Sequence, residues 1–313
     1  MNVEIFAEWL RRQGHSVVKT PSSYWHTTGR GVYQAFPYHA IIAPPEDELR
    51  DLLHRRTGWA LRYSTAFDSG VMGCASYHAV YEKSTYDLND LARQSRQNVL
   101  RSQRVCHVEP LPLEHFISEG WTLHCDTLHR QGRELRISQK EWQNRWRATA
   151  DLPGFERWGS FVQGSLVASL VSFRLDGWCY LIYQQCRGDH LSSRAIHGLT
   201  FFVTRNMVER PGVSGIFYGM HSLDAPASVD VYKFRMGYVP KPIRQRILFH
   251  PYLCPLINPA THGLLEWAKA VRPGNPIICK TEGMVRFYLE GKLPIREQTL
   301  PENLREFTAL SVH

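Results

Sequence analysis

The sequence has no run of about 18 consecutive apolar residues, which excludes a conventional membrane-spanning helix. It has no C-x-x-C pair either. Its seven cysteines, Cys74, Cys106, Cys125, Cys179, Cys186, Cys254 and Cys279, are odd in number and widely spread. That distribution argues against a zinc knuckle or a disulfide framework and fits a reducing compartment. The 15 histidines include no H-E-x-x-H or comparable ligand spacing, so no metal is expected. Internal repeats and low-complexity tracts are also missing. The first residues, Met1 to Lys19, intersperse Glu4, Glu8, Arg11, Arg12 and His15 among Ile5, Phe6, Trp9 and Leu10. They lack the uninterrupted apolar core of a signal peptide and predict an amphipathic helix, so the expected location is cytoplasmic.

What is present is the composition of a packed globular protein: 313 residues, 43% hydrophobic, 12% aromatic and 21% charged. The length suits two domains of roughly 150 residues or one large one. Lys and Arg outnumber Asp and Glu by 37 to 29, a net +8. The excess favours a phosphate-bearing partner such as a coenzyme, a nucleotide or RNA, or merely solubilises the surface.

Along the chain, Pro21 to Pro45 is rich in Gly, Pro and aromatics and reads as irregular loops with short strands such as Ala40 to Ala43. Glu46 opens an acidic-start helix to Arg56, and Trp59 to Tyr63 and Tyr77 to Tyr81 read as strands. From Asp87, Leu88, Leu91, Val99 and Leu100 line one face of a helix carrying Arg93, Arg96, Arg101 and Arg104. Val105 to Val108 is a short strand. A domain boundary is placed near Pro110, before helices over Leu113 to Gln131 and Gln139 to Ala148, whose Trp142 and Trp146 stand at i and i+4. Towards the end of the chain a helix is expected over Thr261 to Ala270.

The middle of the chain is the most informative. Gln163-Gly164 and Asp176-Gly177 are two-residue turns between β-rich runs, which predicts three consecutive antiparallel strands ending at Tyr183. A Gly-bearing loop, Gln184 to Ser193, then enters a helix containing Ala195, Leu199 and Met207. Unpaired N–H groups in the first turn of a helix, with the positive end of its dipole, suit a phosphate. Val213 to Tyr218 is a further strand, a helix starts near Ser228 and ends at Gly237, and Ile243 to Phe249 is a last strand.

This order resembles the GNAT acyltransferase superfamily in its FemAB-like branch, which has two GNAT-type halves. The resemblance rests on Gly164-Ser165-Leu166-Val167-Ala168, on the Gly188 to Ser193 loop, on Tyr232-Lys233-Phe234-Arg235-Met236-Gly237-Tyr238, and on the basic helix Ser95 to Arg101. It covers roughly Tyr86 to Pro251. It implies an α/β (α+β) fold with a mixed, mostly antiparallel central sheet flanked by helices. Residues 1–109 would form an N-terminal GNAT-like half and residues 110–313 a GNAT-type acyltransferase half with a C-terminal extension.

The resemblance also implies transfer of an acyl or aminoacyl group, from acyl-coenzyme A or aminoacyl-tRNA, to an amine of a small molecule or peptide. The coenzyme A pattern Gln/Arg-x-x-Gly-x-Gly/Ala is only partly met: Gln185-Cys186-Arg187-Gly188-Asp189-His190 has His190 at the second small position. The donor therefore stays open between coenzyme A and tRNA. A second possibility is a non-catalytic GNAT-like module that binds phosphate or RNA.

Aminolysis needs a neutral amine, donors for the carbonyl oxygen and an acid for the leaving group. Backbone N–H groups between Tyr183 and Cys186 could polarise the carbonyl. Tyr218, Tyr232 and Tyr238 are candidate acids, and His221 a candidate base. Gln185, Arg187, Gly188, Asp189, Ser192, Ser193, Arg194 and Lys233 are candidates for holding the donor's phosphate. Asp224 and Asp230 could orient an amine or cap the helix. Cys186, next to Arg187, raises the weaker option of a covalent acyl-enzyme.

Overall fold

A computed structural model describes residues 2–29, 31–54, 58–224 and 227–305. In chain order the elements are α1 (Val3–Arg12), β1 (Val17–Lys19), β2 (Tyr24–Gly29), β3 (Val32–Phe36), α2 (Glu46–His54), β4 (Ala60–Thr65) and β5 (Cys74–Tyr81). They continue through α3 (Arg93–Val105), β6 (His107–Pro110), α4 (Leu113–Arg130), α5 (Gln139–Arg147), β7 (Phe155–Val162), β8 (Ser165–Leu175) and β9 (Trp178–Cys186). Last come α6 (Ala195–Val208), β10 (Gly215–Met220), α7 (Ala227–Arg235), β11 (Val239–Phe249), α8 (Pro259–Val271) and α9 (Pro276–Glu290). Two compact units share these elements. The first comprises Met1–Gln13, Ala79–Gly219 and Ala227–Val239; the second comprises Gly14–His78, Met220–Pro226 and Pro240–His313. Pro110 lies inside the first unit.

In the first unit the strand order is β10-β9-β8-β7-β6. The three inner hairpin strands and β6 are antiparallel, and β10 runs parallel to β9. Both expected turns form with positive φ at their two central residues: 50° and 81° at Gln163 and Gly164, 45° and 82° at Asp176 and Gly177. That is the type I′ requirement, and it matches the twist of the flanking strands.

Helix α1 is the expected amphipathic helix, shorter than its sequence window. Asn2 caps it by accepting from the Glu4 N–H at 3.0 Å, and Phe6, Ala7, Trp9 and Leu10 are buried on one face. Helix α5 starts with a Ser138–Glu141 capping box. Its Trp142 and Trp146 are core anchors, 1% and 2% exposed, packed against Phe116 and Tyr183. Full burial of such side chains stabilises by roughly 1.5–3 kcal/mol each.

Successive residues of β9 face opposite sides of the sheet. Tyr183 turns to the aromatics of α4 and α5, whereas Gln184 turns to Thr200 on α6. The cluster under α6 includes Leu199, Val203 and Met207 with Leu170 and Leu181.

In the second unit the order is β1-β2-β3-β4-β11-β5. Strand β3 runs parallel to β4, while β1–β2, β2–β3 and β4–β11 are antiparallel. Trp25, Tyr33, Leu49, Leu52 and Leu61 build its core under α2. The segment expected to be irregular is therefore mostly a hairpin, β2–β3. Ala40 to Ala43, expected as a strand, forms no ladder: Ala40 N–H closes a turn on Pro37 O at 3.0 Å, and Ile42 N–H donates to Ser64 O at 2.9 Å. Pro44 and Pro45 follow at once and have no N–H to continue it. Arg55 and Arg56, the expected end of α2, lie outside the described residues. Among the described residues no helix is long and apolar enough to cross a membrane.

Candidate functional site

The first unit contains the elements that carry most of the candidate residues. Strands β9 and β10 pair only at Trp178–Gly215, Cys179–Ile216 and Tyr180–Phe217. Both continue beyond that point, β9 as far as Cys186. A bulge helps part them: Val171 faces Tyr183 and Ser172 faces Leu181, leaving Ile182 as the extra residue. Bulges bend a strand and re-aim its side chains. Beyond Tyr180 the β9 edge turned to β10 thus carries no ladder among the described residues, and at its end the Cys186 N–H donates to Thr127 Oγ1 at 3.1 Å.

Polar side chains converge where the strands part. The Tyr218 hydroxyl donates to Gln184 Oε1, and the Gln184 amide donates to Thr200 Oγ1. Thr200 Oγ1 lies 2.9 Å from the Tyr232 hydroxyl and donates to the Ile196 carbonyl at 2.7 Å. Tyr218 and Tyr232 are half-buried. Burial, then the neighbouring Tyr232 and Tyr238, holds the Tyr218 hydroxyl well above the ordinary phenol range; burial also raises Tyr232. Both therefore stay protonated at neutral pH and act as hydrogen-bond donors.

Tyr238 does not join this chain. It is 2% exposed, bonds to Thr204 Oγ1 at 2.6 Å and packs on Tyr218 with ring centroids 4.8 Å apart. It is a core aromatic with a satisfied hydroxyl. His221 belongs to the second unit, stacked on Tyr77 at 4.7 Å. Lys233 is 8% exposed, and its ammonium donates to Asp230 at 2.7 Å, one turn earlier on α7. It stands 5.7 Å from the centre of the Tyr218 ring. Asp230 therefore neutralises Lys233 and is itself buried, 4% exposed.

The Gly188 loop differs from a phosphate cradle. The Gly188 N–H donates to the Asp126 carboxylate of α4, and the Arg187 N–H donates to the Val167 carbonyl at 2.9 Å. The Arg187 guanidinium pairs with Asp189 through Nε, at 3.0 Å, and Nη2. Ser193 Oγ donates to the His190 carbonyl at 2.6 Å and accepts from the Ala195 N–H at 3.3 Å; Ser192 is exposed. Arg194, exposed, enters α6 in a left-handed conformation, φ 58°. The cleft beside this loop holds about 50 Å³, the space of a few waters.

Gln185 stands on the β9 face opposite Gln184, paired with Ser169. Cys186 is fixed by α4: Thr127 Oγ1 donates to its carbonyl at 3.0 Å, and Arg130 Nη2 reaches its sulfur at 3.2 Å. Burial raises its thiol pKa despite Arg130, so the thiol stays protonated.

Four participants were not singled out in the sequence: Gln184, Thr200, Asp126 and Arg130. Thr200 carried the one available signal, a polar residue on the apolar face of α6. Asp126 and Arg130 sit at i and i+4 on α4, about 60 residues before the loop they bind.

Helix α3 turns Val99 and Ser102 inward and leaves Arg93, Gln97, Leu100, Arg101 and Arg104 exposed on the other face. No carboxylate among the described residues pairs with Arg93, Arg101 or Arg104. The stripe runs roughly 16 Å along the helix at 1.5 Å per residue.

No family model and no curated relative matches the sequence. Solved structures do resemble the chain. FemX aligns with a TM-score of 0.54 at 10% identity, over 80% of this chain and 93% of FemX. A DUF2156 domain described as the C-terminal domain of a lysylphosphatidylglycerol synthetase, from Agrobacterium fabrum, aligns at 0.53 with 13% identity, over 86% and 92%. A conserved protein of unknown function from Bacteroides thetaiotaomicron aligns at 0.52 with 10% identity, over 78% and 88%. The mixed, mostly antiparallel sheet, the parting of β9 from β10 and these alignments agree: the chain has the GNAT fold in its FemAB-like form.

Proposed function

We propose that this protein is an N-acyltransferase that joins a carbonyl carbon to an amine, with an aminoacyl-tRNA as donor. The parting of β9 from β10 over the Tyr218–Gln184–Thr200–Tyr232 chain carries this reading. A carbonyl lying along the open β9 edge would meet backbone N–H donors, which stabilise charge as it develops on the oxygen. The amine lone pair forms the C–N bond, the ester C–O bond breaks, and the leaving ribose oxygen takes a proton. Tyr218 is the donor of that proton and regains one from the ammonium of the tetrahedral adduct, while Gln184, Thr200 and Tyr232 hold its hydroxyl in place. Much of the rate would come from positioning.

Two observations favour tRNA over coenzyme A. The donors that a pyrophosphate would need are occupied: Gly188 by Asp126, Arg187 by Asp189. A carboxylate at that place repels phosphate. The unpaired arginines of α3, by contrast, suit a nucleic-acid backbone. The name lysylphosphatidylglycerol synthetase fits an aminoacyl donor, and the acceptor would be an amine of a small molecule or peptide.

The reading is tested by mass-spectrometric detection of amide product with a pool of charged tRNA, and separately with acyl-coenzyme A. Product is expected with charged tRNA only, with turnover reduced about 100-fold or more in Tyr218→Phe, the scale of one general-acid contribution. Binding of tRNA without product from any acceptor would instead establish a non-catalytic binding module. Turnover with acyl-coenzyme A alone would overturn the donor assignment.

A further inference from the structure

The second unit holds a half-buried guanidinium, Arg62, that forms no ion pair with a described carboxylate. His26, Gln34 and Arg62 are register partners across β2, β3 and β4, so they stand in one row on one face. Arg62 Nε and Nη2 donate to Gln245 Oε1 at 2.9 and 2.6 Å, and Nη2 reaches the His221 carbonyl at 3.4 Å. All of these partners are neutral. No carboxylate among the described residues forms an ion pair with Arg62; Asp224 acts on it only at Coulombic range. Nη1 donates to no described group.

Beside this guanidinium lies a cavity of about 10 Å³, lined by Ser23, Gln34, Tyr38, Arg62, Ser64 and Met220 among others. That is room for about one oxygen atom. Gln34 is only 9% exposed, and its amide makes no hydrogen bond to any described group. The hydroxyls nearby are engaged, Tyr38 with His26 Nε2 at 2.9 Å and Ser64 with His78 Nε2 at 2.9 Å. Burial lowers the Arg62 pKa to about 10, which leaves it charged at neutral pH. The bordering histidines remain neutral there: burial lowers His26 to about 4 and His78 to about 3.

Arg62 Nη1 and the Gln34 amide are thus two donors beside one small cavity that no described group engages, and an acceptor placed there gains both. We propose that this pocket binds a carboxylate. One carboxylate oxygen fills the cavity and accepts from Arg62 Nη1 and from the Gln34 amide, one donor for each of its two lone pairs. A phosphate, with three oxygens to satisfy, finds too few donors and too little room. The proposal stands apart from the transfer reaction, because it uses only residues of the second unit.

The experiment is thermal unfolding of the full chain in chloride-free buffer, titrated with formate, acetate, sodium chloride, triglycine and triglycine amide. Saturable stabilisation by formate and acetate is expected. Gln34→Leu should weaken it about tenfold, the worth of one hydrogen bond to a charged group. Gln34 has no partner to lose, so this variant should fold even where Arg62→Met does not. Triglycine stabilising while its amide does not would identify a chain terminus as the carboxylate's source; formate alone would identify a small molecule. Equal stabilisation by chloride, or undiminished stabilisation in Gln34→Leu, overturns the proposal.

Discussion

Replacing Asp230 by Asn isolates the ammonium of Lys233 inside the first unit. The two side chains lie 2.7 Å apart and are 6% and 10% exposed, so water screens the pair little. Removing one member of a buried pair leaves the other charge uncompensated and costs about 3–5 kcal/mol. The lower end applies, because Asn keeps a hydrogen-bond acceptor for the ammonium. At roughly 2 °C per kcal/mol for a chain of this size, the melting midpoint should fall by about 6 °C. The double variant Lys233→Met with Asp230→Asn removes both charges. It should be at least 1 kcal/mol more stable than the sum of the single losses, a coupling typical of contacting residues. Urea and thermal unfolding of the four proteins in this cycle provide the measurement. If Asp230→Asn melts within a degree of the parent, or the losses simply add, then Lys233 is not neutralised by Asp230, and a phosphate contact for Lys233 returns.

Other outcomes follow from the same contacts. Asp126→Ala frees the Gly188 N–H and removes a negative charge, so binding of inorganic pyrophosphate, absent in the parent, should appear in calorimetry; equal binding by both proteins refutes the blocking role of Asp126. A Cβ on Gly198 would stand 2.2 Å from Ser102 Oγ, so Gly198→Ala should wedge α6 from α3 and destabilise by about 1–3 kcal/mol. Adding Ser102→Gly should restore most of that loss in urea unfolding; no rescue would refute the contact. His26 and His78 are lowered to about 4 and 3 from 6.5, chiefly by burial. Because the unfolded chain takes up protons first, their contribution is complete above pH 6.5 and is lost as pH falls toward 4. Each contributes a slope of roughly 1.4 kcal/mol per pH unit in that window. Urea midpoints measured from pH 7.5 to 4.5 should show it, and His78→Asn should flatten it; an unchanged slope refutes the assignment.

The elements legible in the sequence were those fixed by neighbours along the chain. Gln163-Gly164 and Asp176-Gly177 specify type I′ turns, because only residues tolerant of positive φ suit both central positions. Ser138 with Glu141 sets the start of α5, and the spacing of Phe6, Trp9 and Leu10 sets the buried face of α1. From these the order of strands and helices, and with it the FemAB-like fold, could be read.

The site was read less completely. Tyr218 and Tyr232 were named as candidates from their place in that order, but Gln184 and Thr200, to which the fold bonds them, were not. Tyr238 has the same chemistry as Tyr218 and differs only in its surroundings, which no local pattern encodes. The pairing of Asp126 with Gly188 joins residues 62 positions apart. A Gly-bearing loop before a helix looks the same in sequence whether its N–H groups are empty or filled.

By itself, then, the sequence determined periodicity, turns, caps and element order, because these depend on contacts within a few residues. Tertiary structure decided where β9 leaves β10, which tyrosine hydroxyls meet, that Lys233 is neutralised, and that Arg62 lies half-buried among neutral partners. Each of those depends on burial and on partners brought together from distant segments, and burial sets both the cost of a charge and the strength of a hydrogen bond.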